Sequence, residues 1–220
     1  MIKFHPTQEM LTAHAAGDLD LSLAIGVSAH CHYCHDCQQA LANMVKCNSA
    51  KAFVQSPATN TALAESDDLS AMIGAITALD ADHSQPVIPP PEVTIKNQRY
   101  QLPKVFNQQL ASQWQSLGKI SRMRLPHQDN AARASLLHIQ ATGNIPPHTH
   151  KGVEITLLLA GEFCDDQGSY RPGDFIIKGP DDEHSPSSAS GCLCYTVVNA
   201  PLHFTKGISK LFNPIGDLIY

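Results

Sequence analysis

The chain has 220 residues and a hydrophobic content of 43%, which is ordinary for a protein that buries a core. Its longest apolar runs are far shorter than the roughly 20 residues of a membrane-spanning helix, and its N-terminus lacks the apolar stretch of a signal peptide. We therefore expect a cytoplasmic protein with no membrane partner. In a reducing cytosol, an odd number of Cys, seven in this chain, predicts metal ligation or thiol chemistry instead of a disulfide framework.

The charge is unevenly distributed along the chain. Residues 1–80 contain three Lys, no Arg and eight Asp or Glu, which gives a net charge of −5, whereas residues 81–220 contain 12 basic and 12 acidic residues. A segment so poor in Lys and Arg argues against direct binding to nucleic acid, because neutralising phosphates requires clustered basic side chains. It suits a basic protein partner, and the alternative is a solvated acidic face.

Helices are predicted throughout residues 1–80. The first begins near Thr7 and ends at Gly17, and the second follows in LSLAIGVSAHCH. CHDCQQALANMVKC continues as a third helix and ESDDLSAMIGAITALD as a fourth. The fourth carries apolar residues near helical spacing on one side, namely Leu69, Ile73, Ile76 and Leu79. Four short helices supply little core, so a structural metal would help to stabilise such a domain.

A Pro-rich stretch, DADHSQPVIPPPEV, then separates the helices from a different pattern. Its three consecutive Pro favour polyproline II structure, which neither helices nor central strands accept. We place a linker at residues 81–93, between a helical domain at 1–80 and a second domain at 94–220. The second domain contains short β-rich runs, namely GKISRMRL, ARASLLHIQA, VEITLLLAGEFC, DFIIKGP and CLCYTVVNA. The predicted class is α+β, with a small helical domain followed by an all-β sandwich or barrel.

The densest chemical pattern is AHCHYCHDCQQ, residues 29–39. His30, Cys34 and Cys37 are spaced by four and then three residues, so on a helix, or on a helix turning into the next, they point to one side. Thiolates and imidazole are the donor set of a tetrahedral Zn²⁺ site, which requires a fourth donor. The spacing leaves six candidates for it, namely His5, His14, Cys31, His32, His35 and Cys47. The alternative is a His-rich helix end whose Cys act as small apolar residues.

The pattern H…HxxxCxxC resembles the zinc-binding domain of the ChrR-type anti-sigma factors, and MLTAHAAG is similar to the opening segment of that family. The resemblance runs through both domains. It implies that His5 is the fourth ligand, beside His30, Cys34 and Cys37, and that the Zn²⁺ is structural. It also implies a partner, because the helical domain of these proteins keeps an extracytoplasmic-function sigma factor from RNA polymerase. This chain departs from the pattern by three extra donors, namely Cys31, His32 and His35.

A second group of metal-ligand residues lies in the β-rich domain. His148 and His150 point to the same side of a strand, because side chains alternate with period two. Glu154 follows, and YRPGDFIIKGPDDEH supplies His184. The pattern HxHx3Ex6G, followed by PGD and a later His, resembles the cupin family. That resemblance implies a double-stranded β-helix barrel whose four residues hold Zn²⁺ or another divalent metal, since ligand type does not choose among them.

Taken together, the resemblances imply a regulator that is not an enzyme. The helical domain would sequester the sigma factor, and the cupin domain would convert an oxidative, singlet-oxygen-like or chemical stimulus into release by a two-state switch. The main alternative is a cupin metalloenzyme, such as a dioxygenase, with an accessory zinc domain. A third is a sensor whose small-molecule ligand enters the barrel without reacting. Cys192 and Cys194 are expected to be buried core residues, with oxidation as the alternative.

Overall fold

A computed structural model describes residues 1–54, 67–80, 88–110, 112–129 and 132–205. Helices come first, namely α1 (Gln8–Ala16), α2 (Leu21–Tyr33), α3 (His35–Val54) and α4 (Asp67–Thr77). The strands that follow are β1 (Glu92–Ile95), β2 (Gln98–Gln101), β3 (Gln115–Leu117), β4 (Ile120–Asp129), β5 (Ala132–Ile139), β6 (Gly143–Asn144), β7 (His148–His150), β8 (Glu154–Gly161), β9 (Phe163–Asp165), β10 (Gly168–Tyr170), β11 (Phe175–Lys178), β12 (Ser187–Ser188), β13 (Cys192–Val198) and β14 (Leu202–Phe204). The predicted α+β class is confirmed.

The first helix has the ends that its sequence predicts. The Thr7 hydroxyl accepts a hydrogen bond from the Met10 amide at 3.2 Å, which satisfies one of the free donors of the first turn. Gly17 ends the helix in the left-handed region, at a φ of +83°, where a side chain is disfavoured. The next two helices are separated by Cys34 alone, which is extended, so one helix does turn directly into the next.

The predicted linker is only partly described. Residues 81–87 lie outside the described residues, and β1 begins at Glu92, inside the 81–93 segment. This strand pairs with β2 as a hairpin, in which Lys96 and Asn97 adopt positive φ in the turn. The division into residues 1–80, 81–93 and 94–220 stays a prediction.

Two antiparallel sheets form the barrel. The larger sheet has the strand order β11-β8-β13-β5-β4-β3, and the smaller has the order β10-β9-β12-β6. A separate pair, β7 and β14, carries the HTH sequence. Buried residues of both sheets meet inside the barrel, namely Ile139, Leu158, Phe163, Tyr170, Ile176, Cys192 and Cys194. The two Cys are therefore core residues, as predicted.

The larger sheet is buried on both faces. Along β8, Ile155 and Leu157 face outward, whereas Thr156 and Leu158 face the barrel interior. All four are buried, which explains why Leu157, Leu158 and Leu159 follow one another in this strand with no polar residue between them. Something must therefore cover the outer face of the sheet.

That cover is α2. Ile25, Val27 and Ala29 of α2 belong to the same buried cluster as Leu157 and Tyr195 of the sheet. Helix and sheet approach closely at Gly26, where an added Cβ would lie 3.3 Å from the Tyr195 ring. The helical part and the barrel thus share one core. No helix in the described ranges combines the length and the apolar character needed to cross a membrane.

Candidate metal centres

The first candidate metal-binding group consists of His5, His30, Cys34 and Cys37. Each residue offers one ligand atom, and these atoms all lie within 4.8 Å of one another. His5 comes from the segment before α1, and the other three come from the end of α2, the turn and the first turn of α3. Of the six candidates for the fourth donor, the structure thus places His5 beside His30, Cys34 and Cys37.

The Nδ1 atom of His5 lies centrally in this group. It is 3.4 Å from the Nε2 atom of His30, 3.5 Å from the Cys34 Sγ and 3.4 Å from the Cys37 Sγ. His30 and both Cys are buried, whereas His5 is exposed and closes the group on the solvent side. Two imidazoles and two sulfurs converging in this way are the donor set of a closed, four-coordinate Zn²⁺ site.

The electrostatics of the group also fit a cation. Burial raises the pKa of the Cys37 thiol to about 12, and the neighbouring Cys34 adds to the effect. A thiol of this kind stays protonated at neutral pH unless a positive charge stabilises the thiolate, which a divalent metal does directly. Binding of the metal would therefore release a proton from Cys37.

The other five candidates for the fourth donor lie outside the group. Cys31 is buried in the shared core, where burial raises its pKa to about 11. His14 contacts the Ser28 hydroxyl, with its Nε2 atom 3.1 Å from the Oγ atom. The remaining three are exposed, namely His32, His35 and Cys47.

The second group consists of His148, His150, Glu154 and His184, and all four are buried. The first two lie on β7, and Glu154 is the first residue of β8. His184 reaches the group through backbone pairing, because it forms an isolated antiparallel bridge with His148. The ligand atoms again lie within 4.8 Å of one another.

Three nitrogens and one carboxylate converge in this second group. The Glu154 Oε2 atom lies 2.6 Å from the His150 Nε2 and 3.1 Å from the His184 Nε2. His148 donates from Nδ1 to the Pro146 carbonyl oxygen at 2.8 Å, which leaves Nε2 with the lone pair of the ring. The Thr156 hydroxyl donates to Glu154 Oε1 at 3.0 Å and holds the carboxylate in place.

The protonation states suit a metal ligand set. Burial, with a contribution from His184, lowers the pKa of His148 to about 4, so this imidazole is neutral near pH 7. Burial alone would raise the pKa of Glu154, but hydrogen bonds to His150 and His184 hold it well below its usual range. Neutral imidazoles and an ionised carboxylate are the forms that bind divalent metals.

A cavity of about 30 Å³ adjoins this second group inside the barrel. Besides His148, Glu154 and His184 of the group, its wall includes Asp165, Lys178 and Cys194. Lys178 is buried and forms an ion pair with Asp165, with 3.1 Å between Nζ and Oδ2. The sequence reasoning did not single out either residue, although a Lys at the end of the apolar run DFIIK is the kind of polar interruption that marks a barrel interior.

The fold and the two groups define a class of protein, in which a helical part with a His₂Cys₂ group packs against a barrel with a His₃Glu group. Residues 104–201 match the family described as the ChrR cupin-like domain. Over 218 residues the chain is 27% identical to the anti-sigma-E factor ChrR of Cereibacter sphaeroides, an alignment that covers 97% of each chain. The solved structure of Rhodobacter sphaeroides SigE in complex with the anti-sigma ChrR has a TM-score of 0.66 and 23% identity, over 90% of this chain and 99% of that chain.

The chain is thus similar to ChrR along nearly its whole length, and it has the same order of parts, an N-terminal helical region followed by a cupin domain. The resemblance inferred from the His and Cys spacing is therefore confirmed. The two groups of metal-ligand side chains lie in the parts where that resemblance placed them, the first among the helices and the second in the cupin barrel.

Proposed function

We propose that this protein is an anti-sigma factor. Its helical part, residues 1–80, would bind an extracytoplasmic-function sigma factor and hold it away from RNA polymerase. Its cupin part would sense an oxidative or chemical stimulus and bring about release. The proposal is supported by the similarity to ChrR along 97% of the chain and by an exposed apolar surface on the helical part.

That surface lies on α4 and carries the argument for a protein partner. Met72, Ile73 and Ile76 are exposed to 54%, 52% and 58%, and Leu69 lies on the same side of the helix at 38%. These positions are three and four residues apart and form one apolar stripe. An apolar stripe that remains exposed marks an interaction surface, and an amphipathic helix docks it into the apolar groove of a partner.

The length of α4 and the charge of the helical part indicate further properties of the expected partner. A helix of 11 residues is marginally stable by itself, so burying its stripe against a partner would stabilise it. The first 80 residues have a net charge of −5, which favours a partner with a basic rim around the groove. A sigma factor fits this description because proteins that bind nucleic acid carry clustered basic side chains.

The first group would hold a structural Zn²⁺ through His5, His30, Cys34 and Cys37. Four protein donors leave no coordination position for substrate, so the ion would act by joining the N-terminal segment, α2 and α3. The second group would hold Zn²⁺ or another divalent metal through His148, His150, Glu154 and His184. A metal there supplies a positive charge and a Lewis acid to whatever enters the barrel.

The size of the barrel cavity favours sensing over turnover of an organic substrate. Its volume of about 30 Å³ is enough to hold a few water-sized molecules. Pockets for organic ligands are usually larger, on the order of 300 Å³ or more. A small oxidant fits the cavity, whereas a dioxygenase substrate would require the barrel to open.

The proposal is tested by capturing partners with the full chain, loaded with Zn²⁺, from an extract of its native cells. Mass spectrometry should identify a sigma factor, which is then purified and titrated against the chain. The substitutions Met72→Asp and Ile76→Asp should weaken that complex, since each places a charge in the stripe. The control is Ala71→Asp, which adds the same charge on the opposite side of the same helix.

A folded, metal-loaded chain that recovers no sigma factor would count against the proposal. So would a sigma factor complex that tolerates Asp at both stripe positions as well as at Ala71. Steady turnover of a small substrate by the cupin part, lost on replacing Glu154, would instead support the metalloenzyme alternative.

A further inference from the structure

The turn Arg171–Asp174, which precedes β11 of the cupin part, touches the first metal group from outside the helical part. Asp174 is buried and accepts three backbone hydrogen bonds. One comes from Arg171 at 2.8 Å and closes the turn itself. The other two come from the N-terminal segment, from the Lys3 amide at 2.7 Å and the Phe4 amide at 3.2 Å.

This carboxylate therefore fixes the residues next to His5. The Phe4 carbonyl oxygen also accepts a hydrogen bond from the Phe175 amide at 3.0 Å, so the segment is held by the barrel on both sides of Phe4. The Phe4 ring packs on Tyr170 with 5.2 Å between ring centroids. His5 follows directly in the chain, and its position depends on these contacts with the barrel, since α1 begins only at Gln8.

The same turn contacts a second ligand. The His30 Nδ1 atom lies 2.7 Å from the Gly173 carbonyl oxygen, and since a carbonyl only accepts, His30 is the donor. This bond fixes the tautomer in which Nε2 carries the lone pair, and Nε2 is the atom that faces His5. Gly173 has a φ of +96°, and an added Cβ would lie 2.5 Å from the Ile2 side chain, so the close approach of the turn depends on glycine.

We propose that Asp174 and the Gly173 carbonyl are positioning groups for the metal of the helical part. Two of the four ligands, His5 and His30, would be oriented by the cupin part, while Cys34 and Cys37 are oriented by the helices. The site is then held jointly by both parts of the chain. A displacement of the 171–174 turn reaches two ligands directly, without any change in α2 or α3.

This inference rests on the proposed metal site, and the experiment separates the two. The full chain, reduced and metal-free, is titrated with Co²⁺, and the thiolate-to-cobalt charge-transfer absorption is followed. That absorption reports the first group alone, because Cys34 and Cys37 supply thiolates and the second group has none. Wild type without this absorption would overturn the metal site itself, and the inference with it.

With the absorption present in wild type, Asp174→Ala should weaken Co²⁺ binding at the first group by about 10- to 100-fold, the usual effect of losing a group that orients a metal ligand. Asp174→Asn should lie between wild type and Ala, because one acceptor oxygen is retained. The matched control is Asp182→Ala, which removes a carboxylate that accepts the Gly179 amide at 2.7 Å in another turn of the same barrel. It should leave the affinity of the first group unchanged.

A folded Asp174→Ala variant with wild-type Co²⁺ affinity at the first group would overturn the inference. An equal loss in Asp182→Ala would do so too, because the effect would then reflect general damage to the barrel. If Asp174→Ala does not fold, the Co²⁺ affinity of Asp174→Asn is measured instead, after circular dichroism has confirmed its fold. Wild-type affinity in that variant would likewise overturn the inference. The Co²⁺ affinity of the second group, measured in a Cys34→Ser, Cys37→Ser background, should be the same with and without the Asp174→Ala substitution.

Discussion

The Tyr195 hydroxyl, at the centre of the barrel's larger sheet, donates a hydrogen bond of 2.7 Å to the Ser22 carbonyl oxygen in the first turn of α2. Both residues are buried, and the Tyr195 ring belongs to the same buried cluster as Ile25 and Val27 of α2. A single side chain thus joins the helical part to the barrel through both packing and hydrogen bonding. Domain docking is therefore part of the stability of the whole chain.

The substitution Tyr195→Phe should lower the free energy of unfolding by about 1 kcal/mol, because the ring is kept while the hydrogen bond to a buried carbonyl is lost. Urea unfolding of the full chain measures the change. Thr12→Val is the control, since the exposed Thr12 hydroxyl donates to the Gln8 carbonyl oxygen at 2.8 Å and water can replace that bond. Equal stability of the Tyr195→Phe variant and wild type would show that docking does not depend on this bond.

The reactivity of the thiols should follow their burial. Of the seven Cys, Cys47 and Cys164 are exposed and the other five are buried. A thiol reagent should therefore titrate two groups rapidly in the native, metal-loaded protein and seven after unfolding. The double substitution Cys47→Ser, Cys164→Ser should abolish the rapid phase. Rapid reaction of a third thiol in metal-loaded protein would contradict the burial of the first group.

The same thiol titration can be repeated after a chelator has removed the metal. Removing the metal should add the Cys34 and Cys37 thiols to the reactive set, at a rate limited by the release of His5 from the solvent side of the group. Cys192 and Cys194 inside the barrel should stay protected, because they are buried independently of the first group. Their simultaneous exposure on chelation would mean that the two parts unfold together.

The metal-free protein should lose stability as the pH falls from about 6.5 to about 4. Burial lowers the pKa of His148 from 6.5 to about 4, so the folded state resists protonation and the unfolded state does not. The stabilisation is complete above the unfolded pKa and is lost as the pH falls through the folded one. A shift of this size corresponds to at most about 3 kcal/mol.

Thermal unfolding in chelator at several pH values measures this dependence. The substitution His148→Gln should flatten the curve in that window, because no proton is taken up at this position on unfolding. His203→Gln is the control, since His203 is exposed on β14. Identical pH profiles for wild type and His148→Gln would contradict the assignment to His148.

The sequence predicts local features well where one short pattern decides them. Thr7 and Gly17 bound the first helix because capping depends on two residues and their own backbone. Similarly, alternation places His148 and His150 on one side of β7. The spacing of His30, Cys34 and Cys37 brings three donors together but does not select the fourth, because His5 arrives through contacts with the barrel that lie about 170 residues away in sequence.

The docking of α2 on the larger sheet was not predicted, although the sequence contains a sign of it. EITLLLA and CLCYTVV contain runs of successive apolar residues, which indicates strands buried on both faces. A barrel interior accounts for one face only, so the other face required a cover. Asp174 was recognised only as part of a turn motif, because its role depends on the Lys3 and Phe4 amides, which carry no side-chain pattern.

Substitutions in the two metal groups should have opposite consequences for the proposed regulator. The double change Cys34→Ala, Cys37→Ala should free the sigma factor, because the N-terminal segment, α2 and α3 lose their common ligand, and target promoters should become constitutively active. Glu154→Gln should leave the complex intact but unresponsive to the stimulus, because it alters the charge of the second group without touching the helices. A promoter reporter and co-purification of the sigma factor, followed in the same cells before and after stimulation, distinguish these outcomes. Constitutive promoter activity in the Glu154→Gln strain would contradict the separation of binding from sensing. The structural role of the first metal would be contradicted if the Cys34→Ala, Cys37→Ala variant co-purified with as much sigma factor as wild type does.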